Sequence, residues 1–264
     1  MKKSLLVLIC ILVAGIAFGQ TLRKGGIIAF RPFTVTLQPD VTMNQYLDFM
    51  LNEYYPEVEK AFTGSKVFLL KGDKGALQNG LAWIWYFDSS GLRDKYFDEE
   101  GNRTQAGTAA MEKLEPVAER GNDFVIASES EYTDWIILPQ STAQELDLKK
   151  GTVLGWHHMD LKLNPDVTMN QYLDFLAEKY IPELEEAMQG WTIYMLKGDR
   201  GLYENEYTWM YWIESVEERD RYAPRESDEM TEARRKAIEK IMPLYEELQQ
   251  LGTGTSDFTD WVIL

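Results

Sequence analysis

The stretch PDVTMNQYLDF stands at positions 39–49 and again, letter for letter, at 165–175. A match of that length at an offset of 126 positions means that a whole domain is written twice, since the period is far too long for a solenoid of short repeats. Other segments keep the same spacing. Leu70-Lys71-Gly72-Asp73 returns as Leu196-Lys197-Gly198-Asp199, Arg93-Asp94-Lys95-Tyr96 as Arg219-Asp220-Arg221-Tyr222, and Thr133-Asp134-Trp135 as Thr259-Asp260-Trp261. Only between Tyr96 and Thr133 does the register slip by one, as EKLEPVAE (112–119) against EKIMPLYE (239–246) shows. The reading is of a first repeat at 26–138, a polar connector at 139–151 with Pro at its head and Gly at its end, and a second repeat at 152–264.

Each copy carries the same succession of periodicities. Ile27–Leu37 and Val153–Leu163 alternate as strands do. Thr42 and Thr168 stand three residues before Gln45 and Gln171, the pattern of a capping box, and open helices whose apolar residues step at helical spacing. Pro56 and Pro182 are expected to kink or break those helices near their last turns. KVFLLK (66–71) and LAWIWYF (81–87), with TIYMLK (192–197) and YTWMYWI (207–213), read as strands. A second helix follows at about 104–120 and 228–250, and a strand with the Trp of TDW ends each copy. The order is β-α-β-β-α-β twice: an α+β fold of two ferredoxin-like units, each an antiparallel sheet with both helices on one face.

The third strand says what covers the other face. Trp83, Trp85 and Phe87 point one way, and Ile84 and Tyr86 the other; in the second copy Trp209, Tyr211 and Ile213 oppose Met210 and Trp212. Both faces are apolar, so both are to be buried, and the nearest available surface is the sheet of the other copy. Paired in this way, the chain resembles the dimeric α+β barrel superfamily, fused into one polypeptide. The resemblance spans about residues 26–264 and rests on element order, duplication and aromatic strands. It implies a ligand in the cleft between sheet and helices or inside the barrel. Proteins of this kind include cofactor-independent monooxygenases, isomerases and decarboxylases, and haem enzymes of the chlorite dismutase type. Fusion satisfies the pairing internally, which implies a monomer with a pseudo-two-fold axis.

Composition narrows the function classes. A formal charge of −16 with no Lys/Arg-rich stripe excludes nucleic acid as a partner. Lys2 and Lys3, the apolar run Leu5–Phe18 and Ala17-Phe18-Gly19 read as a signal peptide over 1–19, cut before Gln20. The run is short for a membrane span, so the mature chain is expected to be exported to the periplasm or the outside, with no membrane association. Cys10, the one cysteine, would be removed, leaving no disulfide, thiolate nucleophile or Cys-ligated metal.

Candidate site residues come from the places where the copies differ. Aligned, FRPFTVTL (30–37) meets WHHMDLKL (156–163). Phe30, Pro32, Thr34 and Thr36, against Trp156, His158, Asp160 and Lys162, are expected to look into the interior. His158 and Asp160, two apart on one strand face, could form a general base and the carboxylate that orients it. His157 points to the helix side, where its counterpart is Arg31. Against this stands the reading of a wet strand end with structural hydrogen bonds. Lys71 and Lys197 could hold an anionic ligand, while Gly-Asp-x-Gly is equally ordinary turn chemistry, and RDxY and TDW read as packing and capping. Trp85, Trp209, Tyr211 and Trp156 could wall a cavity for a flat apolar ligand, or cement the sheets. No metal site and no cofactor are expected. Three readings follow: a binding protein for a small apolar or aromatic ligand, an enzyme of the cofactor-independent monooxygenase or isomerase kind with His158 as base, and a haem-binding protein.

Overall fold

In the computed structural model, residues 20–142, 144–227 and 229–264 are described; the segment read as a signal peptide lies outside the described residues. After β1 (Gln20–Thr21), the first repeat runs β2 (Ile27–Leu37), α1 (Met43–Phe49), α2 (Tyr55–Ala61), β3 (Ser65–Gly75), β4 (Leu81–Phe87), α3 (Ser90–Asp94), α4 (Gln105–Gly121), β5 (Val125–Ser130) and β6 (Thr133–Ile137). After β7 (Asp147–Leu148), the second runs β8 (Val153–Leu163), α5 (Met169–Phe175), α6 (Ile181–Ala187), β9 (Trp191–Gly201), β10 (Tyr207–Ile213), α7 (Val216–Tyr222), α8 (Glu232–Leu251) and β11 (Gly252–Ile263).

Local chemistry places the helices as the spacing predicts. Thr42 Oγ1 accepts from the Gln45 N–H while Gln45 Oε1 accepts from the Thr42 N–H, and Thr168 and Gln171 repeat the box. The prolines act differently from expectation. α1 and α2 are joined by a widened turn, Met50–Tyr54, in which the Tyr55 N–H reaches back to the Met50 carbonyl. Pro56 follows at the start of α2, where its missing N–H falls beside a turn that has already left the α pattern. Leu176–Tyr180 does the same before Pro182. The helix is widened and continues; it does not break.

The strands close into one antiparallel barrel. Within the first repeat β2 pairs with β4 on one side and with β6 and β5 in series on the other, and β3 pairs with β4. The second repeat pairs β8 with β10 and β11, and β10 with β9. Two seams join the copies: β3 to β11 and β6 to β9. The fold is the α+β barrel of two ferredoxin-like repeats. Its copies differ in the last stave, which is continuous as β11 but interrupted between β5 and β6, where a single strand was expected.

Alternation sorts the core into three clusters. Ile84, Tyr86, Met210 and Trp212 lie inside the barrel with Phe30, Trp135, Trp156 and Trp261. Trp83, Trp85 and Phe87 pack under α2 and α4, and Trp209 and Tyr211 under α5, α6 and α8. The connector does more than span a gap. Ser141 Oγ accepts from the Met195 N–H at 2.9 Å, β7 pairs with β1, and Leu148 joins Leu22 in the interior cluster, plugging the barrel where β2 begins.

Each seam holds a buried arginine. Arg219 is completely buried and donates to Asp260 at 2.8 Å, to Asp220 at 2.6 Å and to Asp73 of the other repeat. Arg93 likewise meets Asp134 at 3.3 Å, Asp94 at 2.9 Å and Asp199 at 2.6 Å. The LKGD, RDxY and TDW segments, read as turn, packing and capping elements, therefore assemble into an inter-repeat clamp at each seam. The bulge on the seam explains the reach. Opposite Asp260–Trp261, β3 carries one extra residue, Asp73, between Gly72 and Lys74, and an extra residue in a strand is turned out of the ladder.

Candidate functional site

The duplication supplies its own control for the helix–sheet clefts. In the first repeat Phe62, Trp85 and Phe97 pack ring against ring, with centroids 4.6, 5.5 and 5.8 Å apart, and the Trp85 indole N–H donates to Ser65 Oγ at 2.7 Å. The same positions in the second repeat hold Met188, Tyr211, Ala223 and Trp191. With Phe97 replaced by a methyl group and Phe62 by a thin thioether, the cleft opens into a cavity of about 470 Å³ between the outer face of the sheet and α6 and α8. That is within the range of pockets that enclose a whole small molecule. The first repeat keeps a cavity of about 310 Å³, walled by Phe33, Tyr55, Trp83 and Trp85 with no charged residue in its lining.

The larger cavity has a distinct chemistry. His157, from β8, stands edge-on to Tyr211 at 4.8 Å and stacks on Phe258 at 5.4 Å, with Nδ1 3.4 Å from Ser256 Oγ. Burial pulls its pKa down to about 4, so the imidazole is neutral at neutral pH. Its counterpart Arg31 is a cation lodged over the rings of Trp83 and Tyr132, at 5.3 and 4.4 Å. Burial pushes the Tyr211 phenol well up, which keeps it protonated. Trp191 stands at 5.5 Å from Tyr211, and its buried indole N–H has no acceptor among the described residues. Such an orphan calls for a water or a ligand atom. Arg234 comes from α8 and Lys74 from β3 of the first repeat, with Lys74 Nζ donating to the Pro224 carbonyl at 2.6 Å. The cavity therefore needs both repeats.

The remaining expected residues are dispersed. Trp85 lines the smaller cavity, and Trp209 faces Tyr180 at 6.1 Å. Trp156 is inside the barrel, stacked on Phe30 at 4.4 Å. Lys71 is exposed and Lys197 half-buried; neither lines the cavities described above. The expected pairing of His158 with Asp160 is corrected. His158 Nε2 lies 2.7 Å from Glu206 Oε2, because Thr208 stands opposite His158 in the sheet and Glu206 precedes it by two. Asp160, with Thr34 and Thr36, is exposed on strand ends that overrun the barrel. Among the described residues no group of three or more His, Cys, Asp or Glu is placed to hold a metal ion, and no helix is long and apolar enough to cross a membrane.

Lys74, Ala223 and Arg234 escaped the sequence reading. Aligning Phe97 with Ala223 and Gly107 with Arg234 was the signal available for two of them: a lost ring and a gained charge at matching positions.

No protein-family model matches the sequence, and no curated protein matches it significantly. Solved structures do match along most of their length. One is described as a candidate monooxygenase from Fusobacterium nucleatum, 9% identical, covering 92% of this chain and 94% of that one at a TM-score of 0.49. Another is a candidate monooxygenase from Lactobacillus acidophilus, 13% identical, with coverages of 91% and 94% and a TM-score of 0.44. A chlorite dismutase variant from Candidatus Nitrospira defluvii matches at 8% identity, with coverages of 91% and 92% and a TM-score of 0.48. At these identities the likeness is one of fold alone. The expectation that the chain works without a cofactor does not stand beside them. Chlorite dismutases, the haem-enzyme type named in the resemblance, recur among the matches.

Proposed function

We propose that the chain binds a planar, largely apolar small molecule with an acidic group, in the helix–sheet cavity of the second repeat. One observation carries the reading. Where the first repeat narrows its cleft with Phe97 and Phe62 and carries the Arg31 cation, the second substitutes Ala223, Met188 and neutral His157 and adds Arg234. Aromatic walls suit a flat ring system, Lys74 and Arg234 suit a carboxylate beside an Asp260 already held by Arg219, and the Trp191 N–H lacks an acceptor that a ligand oxygen would supply.

Haem falls within that class, and the residues present fit it. A neutral imidazole is the form that ligates iron, so the half-buried His157 would hold the metal while Lys74 and Arg234 meet the propionates. Bound there, haem would supply redox chemistry. The charged start and apolar run over 1–19 support an exported protein, and the intramolecular closure of the barrel supports a monomer.

The test is to titrate the purified protein with haemin and with anthraquinone-2-carboxylate while following tryptophan quenching. Ala223→Phe, which restores the ring of the first repeat, is expected to weaken both at least tenfold with an unchanged far-UV spectrum. His157→Ala is expected to shift the Soret band of the haemin complex. Equal affinity in the Ala223→Phe variant would sink the assignment.

A further inference from the structure

Opposite its plugged end the barrel opens into a cavity of about 210 Å³, separate from both helix–sheet clefts. Each residue lining it has its counterpart 126 positions away in the same lining, so the cavity lies on the pseudo-two-fold axis. Phe30 stacks on Trp156 at 4.4 Å and meets Trp261 edge-on at 5.7 Å, while Trp135 stands edge-on to Trp156 at 5.8 Å. Symmetry is broken at the mouth. Pro32 is matched by His158, which Glu206 holds, and Leu77 by Tyr203, whose ring lies 4.2 Å from that imidazole.

The charges at the mouth of this aromatic box are carboxylates, while the Arg31 cation stays outside the lining, over the ring of Tyr132 at 4.4 Å. Glu131 and Asp257 are exposed at the rim, and no Lys or Arg lines the cavity. The Tyr203 phenol is pushed up by burial and then by Glu131 and Glu206, which puts both carboxylates within electrostatic reach of the mouth. Trp135 is 1% exposed, and its indole N–H has no acceptor among the described residues. Ring faces attract cations, indoles most of all, and a buried donor needs an oxygen. An anion is repelled by the rim, and an uncharged alkyl group forgoes the attraction.

From this juxtaposition we propose that the axial cavity is a second small-molecule site, selective for a compact organic ammonium carrying an acceptor oxygen. It complements the helix–sheet cavity, where Lys74 and Arg234 favour the opposite charge. Neither assignment depends on the other.

Choline and its uncharged isostere 3,3-dimethylbutan-1-ol serve as probes, titrated by calorimetry and tryptophan fluorescence into the full chain. Choline is expected to bind at least tenfold more tightly than the isostere, and equally well in the Ala223→Phe protein, whose helix–sheet cavity is filled. The Glu131→Gln/Asp257→Asn double variant, altered only at exposed rim positions, is expected to bind choline several-fold more weakly. Leu77→Lys, at a side chain 48% exposed, is expected to abolish that binding by placing a cation at the mouth. Binding of the isostere as tight as choline's, unchanged choline affinity in Leu77→Lys, or no response to choline at millimolar concentration each overturns the proposal.

Discussion

Arg219 shows what a single buried charge does in this fold. Burial alone would lower its pKa, but the hydrogen bonds it donates to Asp73, Asp260 and Asp220 hold it above the ordinary arginine value. Burial meanwhile pushes the Asp260 carboxyl up, against the pull of Arg219. Arg219→Met would leave Asp260 buried without its counter-charge, a loss of about 3–5 kcal/mol in comparable buried pairs. The pH dependence has a definite sign. A carboxyl raised above its unfolded value takes up its proton more readily in the fold, so that contribution is present in acid and lost as pH rises through the folded pKa. Urea unfolding should therefore show the deficit of Arg219→Met to be larger at pH 7 than at pH 4.5. His157 has the opposite sign. With a pKa lowered by burial to about 4, its neutral form stabilises the fold fully above the unfolded value. That contribution, roughly 3 kcal/mol by linkage, is lost as pH falls from about 6.5 to 4. Relative to the parent, His157→Gln should gain about that much stability across the same window, measured by paired urea melts.

At the scale of elements, the bulge that carries Asp73 and Asp199 depends on the glycine before it. A Cβ built on Gly198 would stand 1.9 Å from the Tyr203 carbonyl oxygen, and one on Gly72 2.1 Å from that of Leu77. The hairpin loop folds back over these positions, with the Gly198 N–H donating to the Glu206 carbonyl at 2.8 Å. Gly198→Ala must displace backbone, so it is expected to cost about 1–3 kcal/mol, and to move Asp199 off Arg93 and Glu206 off His158. A shifted urea midpoint with an altered His158 imidazole resonance would record both effects. Local signals of this kind were legible in part. The capping boxes, the strand alternation and the two-faced β4 and β10 follow from spacing within a few residues, and they gave the barrel. The clamp did not follow from spacing, because Asp73 and Arg219 are 146 positions apart and meet only across a seam between copies. For the same reason Glu206 was missed as the partner of His158: cross-strand register decides it, and register is a property of the hairpin. The cavity of the second repeat was hidden for another reason, since it arises from what Ala223 fails to fill.

For the whole molecule, the decisive quantity is the apolar surface each repeat presents to the other. Tyr86 and Trp135 of the first repeat and Trp156 and Trp212 of the second are all buried in one interior cluster, and dividing the chain would expose them together. At about 25 cal/mol per Å² of apolar area, such indole-rich faces make an isolated half unfavourable as a monomer. Separate halves, 20–138 and 139–264, should therefore combine. The clamps do not choose the partner, because Asp199 stands where Asp73 does and could meet Arg219 in a second-repeat homodimer. The core does choose. The 4.4 Å stack of Phe30 on Trp156 would become tryptophan on tryptophan in that homodimer, and added volume at a packed centre costs about 1–3 kcal/mol. Native mass spectrometry of the mixed halves should show a 1:1 heterodimer in excess over either homodimer, with the near-UV tryptophan signal of the intact chain. A half that stands alone as a monomer with that signal would mean the barrel interior is not what holds the copies together.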